Sequence, residues 1–145
     1  MKVVVQRTGT SSVTVNEKCV GKIDSGLVLL VAFKETDTID TINYMVKKIV
    51  NLRIFPDEAC IMNKSILDYG GSILSISQFT LYGDATKGNR PSYIMAAKGE
   101  ISKPLYDKFN ELLGEYVVVE TGIFGADMKV NITNIGPTTI LLEKE

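Results

Sequence analysis

The chain has 145 residues, of which 45% are hydrophobic and 23% are charged, and its formal net charge is −1. This composition excludes a disordered chain and predicts one globular domain over residues 1–145. The chain contains no histidine, which excludes Ser-His-Asp and Cys-His mechanisms and zinc deaminases. A net charge near zero does not predict nucleic-acid binding, although a local basic patch would still permit it.

The N-terminal third has the residue pattern of β-strands. Strands are predicted at 3–7, 12–16 and 19–23, the last two joined by a short turn. The continuous apolar run 27–33 predicts a strand buried on both faces. Apolar residues then recur at helical spacing across 36–51, which predicts a helix capped by Asp37 or Thr38.

The second half of the chain returns to strands on either side of one helix. After a short strand at 52–55, a long strand is predicted over 72–81, followed by the polar loop 83–92. Ser102 is the expected N-cap of a second helix. Three further strands are predicted at 116–122, 127–133 and 138–143, with a turn at 134–137 between the last two.

This order of elements predicts an α+β fold. We expect a single compact domain in which two main helices pack on a curled mixed or antiparallel sheet. About eight strands in so short a chain suggest a sheet that is barrel-like.

No cofactor is expected. Cys19 and Cys60 are far apart and form no CxxC pair, so neither a zinc site nor a disulfide framework is predicted. The N-terminal apolar run is too short for a signal peptide, and the run 27–33 is far shorter than a membrane span. We therefore expect a cytoplasmic protein without a bound metal.

The segment SQFTL, residues 77–81, has the residue types best suited to chemistry. Its hydroxyls, its side-chain amide and its backbone N–H groups can stabilise an oxyanion without an acid or a base. Strand alternation would place Ser77 and Phe79 on one face and Gln78 and Thr80 on the other. The alternative is a solvent-facing Gln/Thr pair on a half-buried strand, which spacing alone favours.

Other candidate residues give weaker signals. Lys87 and Arg90 lie in a loop with GxxxxG spacing, but the loop lacks the Lys-Ser/Thr of a Walker motif. Two cations can contact phosphates, whereas the default for such a loop is a solvated surface. Asp127 fits a turn residue better than a general base, and Gly136-Pro137 predicts a turn whose cis or trans state the sequence leaves open.

Together these residues resemble the D-aminoacyl-tRNA deacylase family over essentially the whole chain. The resemblance rests on VVVQR at 3–7, SQFTLYGD at 77–84, KGNRPSY at 87–93, ETGIFGADM at 120–128 and NIGPTT at 134–139. SQFTL followed at this separation by Gly-Pro-x-Thr is specific to the family. Three residues depart from its common pattern, namely Lys64, Tyr93 and Thr138, where Leu, Phe and Val are frequent.

The resemblance implies a function. Such a protein hydrolyses the ester that joins a D-amino acid, or glycine mischarged on tRNA(Ala), to the 3′-terminal adenosine of tRNA. It would act as a homodimer, with residues 77–81 of one subunit facing Gly136-Pro137 of the other. A cis Gly136-Pro137 would hold the α-amino group and reject L-amino acids by steric exclusion.

The resemblance also implies roles for individual residues. Ser77, Gln78, Phe79 and Thr80 would form the catalytic part, with backbone N–H groups around Phe79 and Thr80 as oxyanion donors.

Substrate-assisted hydrolysis by the tRNA 2′-hydroxyl is the expected mechanism, and a covalent Thr80 nucleophile is its rival. A non-catalytic RNA-binding module is the alternative function. The remaining expected site residues are Arg7, Phe124 and Met128 for substrate binding, and Lys87 and Arg90 for tRNA.

Overall fold

The structure is a computed structural model that describes residues 1–145, and it contains ten β-strands and three α-helices. Four strands precede the first helix and three follow the last, in the predicted order, which confirms the α+β fold. The strands are β1 (Lys2–Thr8), β2 (Ser11–Val15), β3 (Lys18–Ile23), β4 (Gly26–Ala32), β5 (Phe55–Pro56), β6 (Met62–Lys64), β7 (Ser72–Ser77), β8 (Val119–Thr121), β9 (Lys129–Asn131) and β10 (Asn134–Glu143). The helices are α1 (Ile39–Asn51), α2 (Ile66–Tyr69) and α3 (Gly99–Leu113).

The main sheet has five strands in the order β10-β1-β4-β7-β8. Strand β1 is antiparallel to both of its neighbours, whereas β4, β7 and β8 run parallel to one another. A second sheet has the order β3-β2-β9, and β5 and β6 form a separate two-stranded hairpin. The five-stranded sheet is therefore mixed, as predicted.

Two apolar layers lie on the two faces of the main sheet. Leu27, Leu29 and Val31 of β4 belong to the larger core cluster, which includes buried residues of α1 and α3. Val28 instead packs in a smaller cluster with Val13 of β2 and with residues of β3 and β7. The prediction that the 27–33 run is buried on both faces is thus confirmed.

The sheet does not close into a barrel, so that expectation was wrong. Strands β10 and β8 remain the two edges of the five-stranded sheet. The second sheet covers one face as a separate layer, and the strands therefore need not curl round to bury their apolar side chains. The architecture is two sheets with helices on the outer face of the larger one.

The two long helices begin differently from one another. Helix α1 begins after Thr38, one of the two N-caps that the sequence predicted, and Thr38 forms a capping box with Thr41. Helix α3 begins after Lys98, so the expectation that Ser102 is its N-cap was wrong. The Ser102 Oγ instead donates to the Lys98 carbonyl at 3.1 Å within the first turn. None of the helices is long and apolar enough to cross a membrane.

The strand predicted over 72–81 ends early, at Ser77. The Gln78 N–H still donates to the Val31 carbonyl at 2.7 Å, and Phe79–Tyr82 then forms a 3₁₀ helix. Tyr82 is only 5% exposed, so its ring anchors this helix in the core. The predicted alternation of side chains across a strand therefore does not apply beyond Ser77.

The turn predicted at 134–137 is instead part of β10. Gln6 pairs with Thr139 and Thr8 pairs with Asn134, so residues 135–138 lie opposite Arg7 alone. The extra residues form a bulge in the edge strand, here called the 135–138 bulge. A pairing with β1, which is far away in sequence, determines this geometry.

Candidate active site

A pocket of about 630 Å³ opens where β7 ends and α3 begins. Ser77, Gln78 and Phe79 line it on one side, and Phe124 and Met128 line it on another. Five of the residues singled out from the sequence are therefore brought together in one concave surface. A second, shallower hollow at the C-terminal end of α3 contains none of them.

The segment 77–82, here called the 77–82 turn, presents polar groups beside this pocket. The Leu81 N–H donates to the Gln78 carbonyl at 3.2 Å, which is the first bond of the 3₁₀ helix. The N–H groups of Phe79 and Thr80 precede that bond and have no acceptor within the helix. Such N–H groups at a helix start are suited to stabilising a negative charge.

The Thr80 hydroxyl accepts a hydrogen bond from a neighbouring side chain. The Gln78 Nε2 donates to the Thr80 Oγ1 at 2.5 Å. An amide N–H lowers the energy of an oxygen that bears negative charge, but it cannot accept the hydroxyl proton. The Gln78 contact therefore supplies no base for Thr80.

Aromatic side chains lie at both ends of the 3₁₀ helix, Phe79–Tyr82. Phe79 is 56% exposed and packs edge-on against Tyr93, with ring centroids 5.2 Å apart. Tyr82 points the other way, into the core, where burial raises the pKa of its hydroxyl. The turn thus has one ring at the pocket and one in the protein interior.

The opposite wall of the pocket rests on the core. Phe124 packs against Tyr106, with ring centroids 5.8 Å apart. The Tyr106 hydroxyl donates to the Ser75 carbonyl at 2.7 Å, and burial raises the pKa of Tyr106, so the hydroxyl stays protonated. Met128 lies against Gly122, where a Cβ would collide with the Met128 sulfur. These contacts give the wall an apolar surface.

Gly136-Pro137 lies in the 135–138 bulge and is exposed in the single chain. The peptide bond between the two residues is cis, and both residues are exposed. The Arg7 Nη2 donates to the Ile135 carbonyl at 3.5 Å, and its Nη1 donates to the Ile54 carbonyl at 2.8 Å. The Asn134 Nδ2 donates to the Thr138 carbonyl at 3.0 Å, which closes the base of the bulge.

The bulge and the 77–82 turn lie at opposite ends of the main sheet. Ser77 pairs with Val31, which in turn pairs with Val3, whereas the bulge lies opposite Arg7. Val3 and Arg7 are separated by about 13 Å along β1, and β10 and β7 by about 14 Å across the sheet. One chain therefore cannot bring the bulge and the turn to the same bound group.

The cationic loop is next to the turn but outside the pocket. The backbones of Asp84 and Ser92 exchange two hydrogen bonds of 2.8 Å, which close the loop at its base. Lys87 and Arg90 are exposed within it and do not line the pocket. Their position leaves both side chains accessible to a large polyanion.

Sequence reasoning did not select several residues that line the pocket. Lys98 is the N-cap of α3 and Ser102 lies in its first turn, and Asp127 contributes a carboxylate that the sequence had favoured as a turn residue. Tyr93 also lines the pocket. The aromatic residue directly after the polar loop was the one available signal for Tyr93, whereas Lys98 gave none.

Comparison with known proteins places the chain among relatives of similar length. The D-Tyr-tRNA(Tyr) deacylase family model matches residues 4–143. A D-aminoacyl-tRNA deacylase of Listeria monocytogenes serotype 4a (strain HCC23) is 53% identical over 146 aligned positions, covering 100% of this chain and 97% of that protein. A D-aminoacyl-tRNA deacylase of Shouchella clausii (strain KSM-K16) is also 53% identical over 146 positions, with 100% of both proteins covered.

Solved structures show the same fold. One, described as c-Myc DNA unwinding element binding protein, has a TM-score of 0.94 and 40% identity, and the match covers 100% of this chain and 99% of the other. Another, described as a probable eukaryotic D-amino acid tRNA deacylase, has a TM-score of 0.82 over 97% of each chain. At 18% identity the second match shows the fold alone.

These relatives define the class of protein as an enzyme, a hydrolase that acts on an ester bond, which confirms the predicted class. The chain belongs to the D-Tyr-tRNA(Tyr) deacylase family, because the family model spans residues 4–143 and relatives are 53% identical across the whole chain. The resemblance found in the sequence is confirmed.

Proposed function

We propose that residues 1–145 act as one deacylase domain that hydrolyses the ester of D-aminoacyl-tRNA and releases the free D-amino acid and tRNA. The observation that supports this best is the pocket formed by Ser77, Gln78 and Phe79 facing an apolar wall. Polar donors opposite apolar side chains suit an ester carbonyl that bears a variable side chain. The 53% identical relatives bear the name of this activity.

The active unit is a homodimer, in which the 77–82 turn of one chain faces the 135–138 bulge of the other. The distance between turn and bulge within one chain supports this arrangement. Exposed apolar side chains also lie near both, with Ile94 86% exposed after the turn and Ile135 44% exposed in the bulge. Two copies related by a two-fold axis would cover both surfaces and build two sites.

Chirality is read by the bulge of the second chain. The carbonyl oxygens of Gly136 and Pro137 accept from the substrate α-amino group, and the rigid bulge leaves no space for an L side chain. D-amino acids and glycine fit, so glycyl-tRNA(Ala) is also a substrate. The two Arg7 hydrogen bonds support a fixed bulge, which selection by exclusion requires.

The chemistry is assisted by the substrate. The 2′-hydroxyl of the terminal adenosine orients or activates water, and the N–H groups of Phe79 and Thr80 stabilise the oxyanion. The Gln78 contact to Thr80 is a donor contact, which argues against a Thr80 nucleophile because that reaction needs a base. Lys87 and Arg90 contact the phosphates of the acceptor stem.

The test is to incubate purified protein with D-Tyr-tRNA, L-Tyr-tRNA and glycyl-tRNA(Ala) and to measure the released amino acid. Release from the D-Tyr and glycyl esters, with the L-Tyr ester intact, is expected. Equal release from D-Tyr and L-Tyr would refute the chiral role of Gly136-Pro137.

The alternative function is a nucleic-acid-binding module. The 40% identical structure described as a DNA unwinding element binding protein favours testing it. The same incubation distinguishes the two functions, because a binding module would retain tRNA or duplex DNA in a gel-shift assay and release no amino acid. Deacylation without stable duplex DNA binding supports the enzyme.

A further inference from the structure

The Tyr93 ring contacts the exposed Phe79 side chain of the 77–82 turn. It meets Phe79 edge-on, with an interplanar angle of 73° and ring centroids 5.2 Å apart. Both side chains line the pocket. This is the one aromatic contact that Phe79 makes, so Tyr93 is the aromatic residue that packs against the Phe79 ring at the pocket.

The backbone on either side of Tyr93 is tied to nearby structure. Ser92, which precedes it, exchanges two hydrogen bonds of 2.8 Å with Asp84, and the Ala96 N–H donates to the Tyr93 carbonyl at 3.0 Å. Asp84 is separated from the turn only by Gly83, whose N–H donates to the Thr80 carbonyl at 2.9 Å. The base of the Tyr93 side chain is therefore fixed relative to the turn.

Gly83 provides the space for the ring. A Cβ at Gly83 would lie 3.0 Å from Tyr93 Cε1 and 3.0 Å from the Thr80 carbonyl oxygen. Real Cβ contacts are rarely this close, so any larger residue would displace the ring or the turn. Tyr93 thus packs against both Phe79, the first residue of the 3₁₀ helix, and Gly83, which follows the turn.

We propose that Tyr93 is a positioning residue, whose ring holds Phe79 and thereby the Phe79 and Thr80 N–H groups in the geometry that stabilises the oxyanion. This inference rests on the proposed hydrolysis and deepens it. Donors arranged before the reaction need no reorganisation during it, and the supporting contacts determine that arrangement. The Tyr93 hydroxyl forms no hydrogen bond within the chain, so the ring alone does the positioning.

The kinetic test compares Tyr93→Leu, Tyr93→Phe and wild type on D-Tyr-tRNA. Tyr93→Leu is expected to lower kcat about tenfold, as the loss of an aromatic pair does, with KM changed less than about twofold. Tyr93→Phe is expected to match wild type because it keeps the ring. Tyr116→Leu is the control, since Tyr116 is 45% exposed and lies outside the pocket. A Tyr93→Phe variant as slow as Tyr93→Leu would overturn the proposal.

A double-mutant cycle tests whether Tyr93 acts through Phe79. Combining Phe79→Leu with Tyr93→Leu is expected to give the kcat of Phe79→Leu alone, and a multiplicative loss would overturn the proposal.

An NMR measurement made without substrate tests the positioning role of Tyr93 independently of the proposed function. The three-bond HN–Hα couplings of Phe79 and Thr80, which report the backbone φ angles and not the ring current of Tyr93, are expected to change in Tyr93→Leu and to stay the same in Tyr93→Phe. Unchanged couplings in Tyr93→Leu would overturn the positioning role. If the wild-type protein leaves D-Tyr-tRNA intact but these couplings change in Tyr93→Leu, the proposed function is refuted and the positioning role stands.

Discussion

Arg7 lies opposite the 135–138 bulge, and its guanidinium joins two distant segments by donating to the carbonyl oxygens of Ile54, at 2.8 Å, and Ile135, at 3.5 Å. A single planar cation thus ties the bulge to the residue that precedes β5. The fork geometry of the guanidinium makes this possible, because two of its nitrogens can point at different acceptors.

Replacing Arg7 by Lys is expected to lower kcat/KM for D-Tyr-tRNA by about 10²-fold, since one ammonium cannot hold both carbonyl groups and the bulge moves. Arg53→Lys is the matched control, because Arg53 bonds Asn63 in the exposed β5–β6 hairpin. Steady-state kinetics and a melting curve would measure both. An Arg7→Lys variant with wild-type kcat/KM would show that Arg7 does not position the bulge.

Gly136→Ala is expected to fold normally and to lose activity. A Cβ at Gly136 would meet no atom within 4 Å in the single chain, so the melting temperature of the isolated subunit should not fall. In the proposed two-chain site the new methyl group would occupy the space assigned to the substrate α-amino group. The measurement pairs D-Tyr-tRNA turnover with thermal unfolding, and full turnover would contradict contact between Gly136 and substrate.

Thr80→Ala is expected to retain turnover within about tenfold of wild type, because its backbone N–H remains while only a side-chain hydroxyl is lost. Thr80→Ser, which keeps the hydroxyl, is the matched control. Single-turnover rates on D-Tyr-tRNA provide the measurement. Complete loss of turnover in Thr80→Ala, with tRNA binding intact and Thr80→Ser active, would favour the covalent nucleophile.

Gly26→Ala is expected to destabilise the fold by about 3 kcal/mol or more. Gly26 has a φ of +139°, and an added Cβ would collide with the Ser72 carbonyl and lie 2.7 Å from the Ser72 nitrogen. The close approach occurs where β4 and β7 begin to pair. Urea unfolding would measure the loss against Gly136→Ala, whose Cβ would meet open space. Equal stability of the two variants would contradict this close packing.

Much of the fold followed from local patterns in the sequence. The apolar run 27–33 and the helical spacing across 36–51 each predicted an element that the structure contains, because burial on two faces or on one helix face leaves a regular signal. Prediction failed where contacts with residues far away in the sequence determine the backbone conformation. A 3₁₀ helix with a buried Tyr82 replaces the end of the predicted strand, and pairing with β1 turns a predicted loop into the 135–138 bulge.

The site was predictable in its parts but not in its arrangement. Ser77, Gln78, Phe79, Phe124 and Met128 were selected from the sequence and lie around one pocket. The distance between this pocket and Gly136-Pro137 depends on strand order and register, which are non-local properties. Tyr93 was noticed only as a departure from the family pattern, because its contact with Phe79 spans an intervening loop.

The most direct test of the shared site is to combine two variants that are each inactive. One has Gln78→Ala and Phe79→Ala in the turn, and the other has Arg7→Ala and Gly136→Ala at the bulge. The two are co-expressed with different affinity tags, and D-Tyr-tRNA turnover is compared with that of each variant alone. If each site takes its turn from one chain and its bulge from the other, about a quarter of wild-type activity should return, because half of the random dimers are mixed and each of these has one intact site. Mixed protein no more active than the separate variants would contradict a site built from two chains.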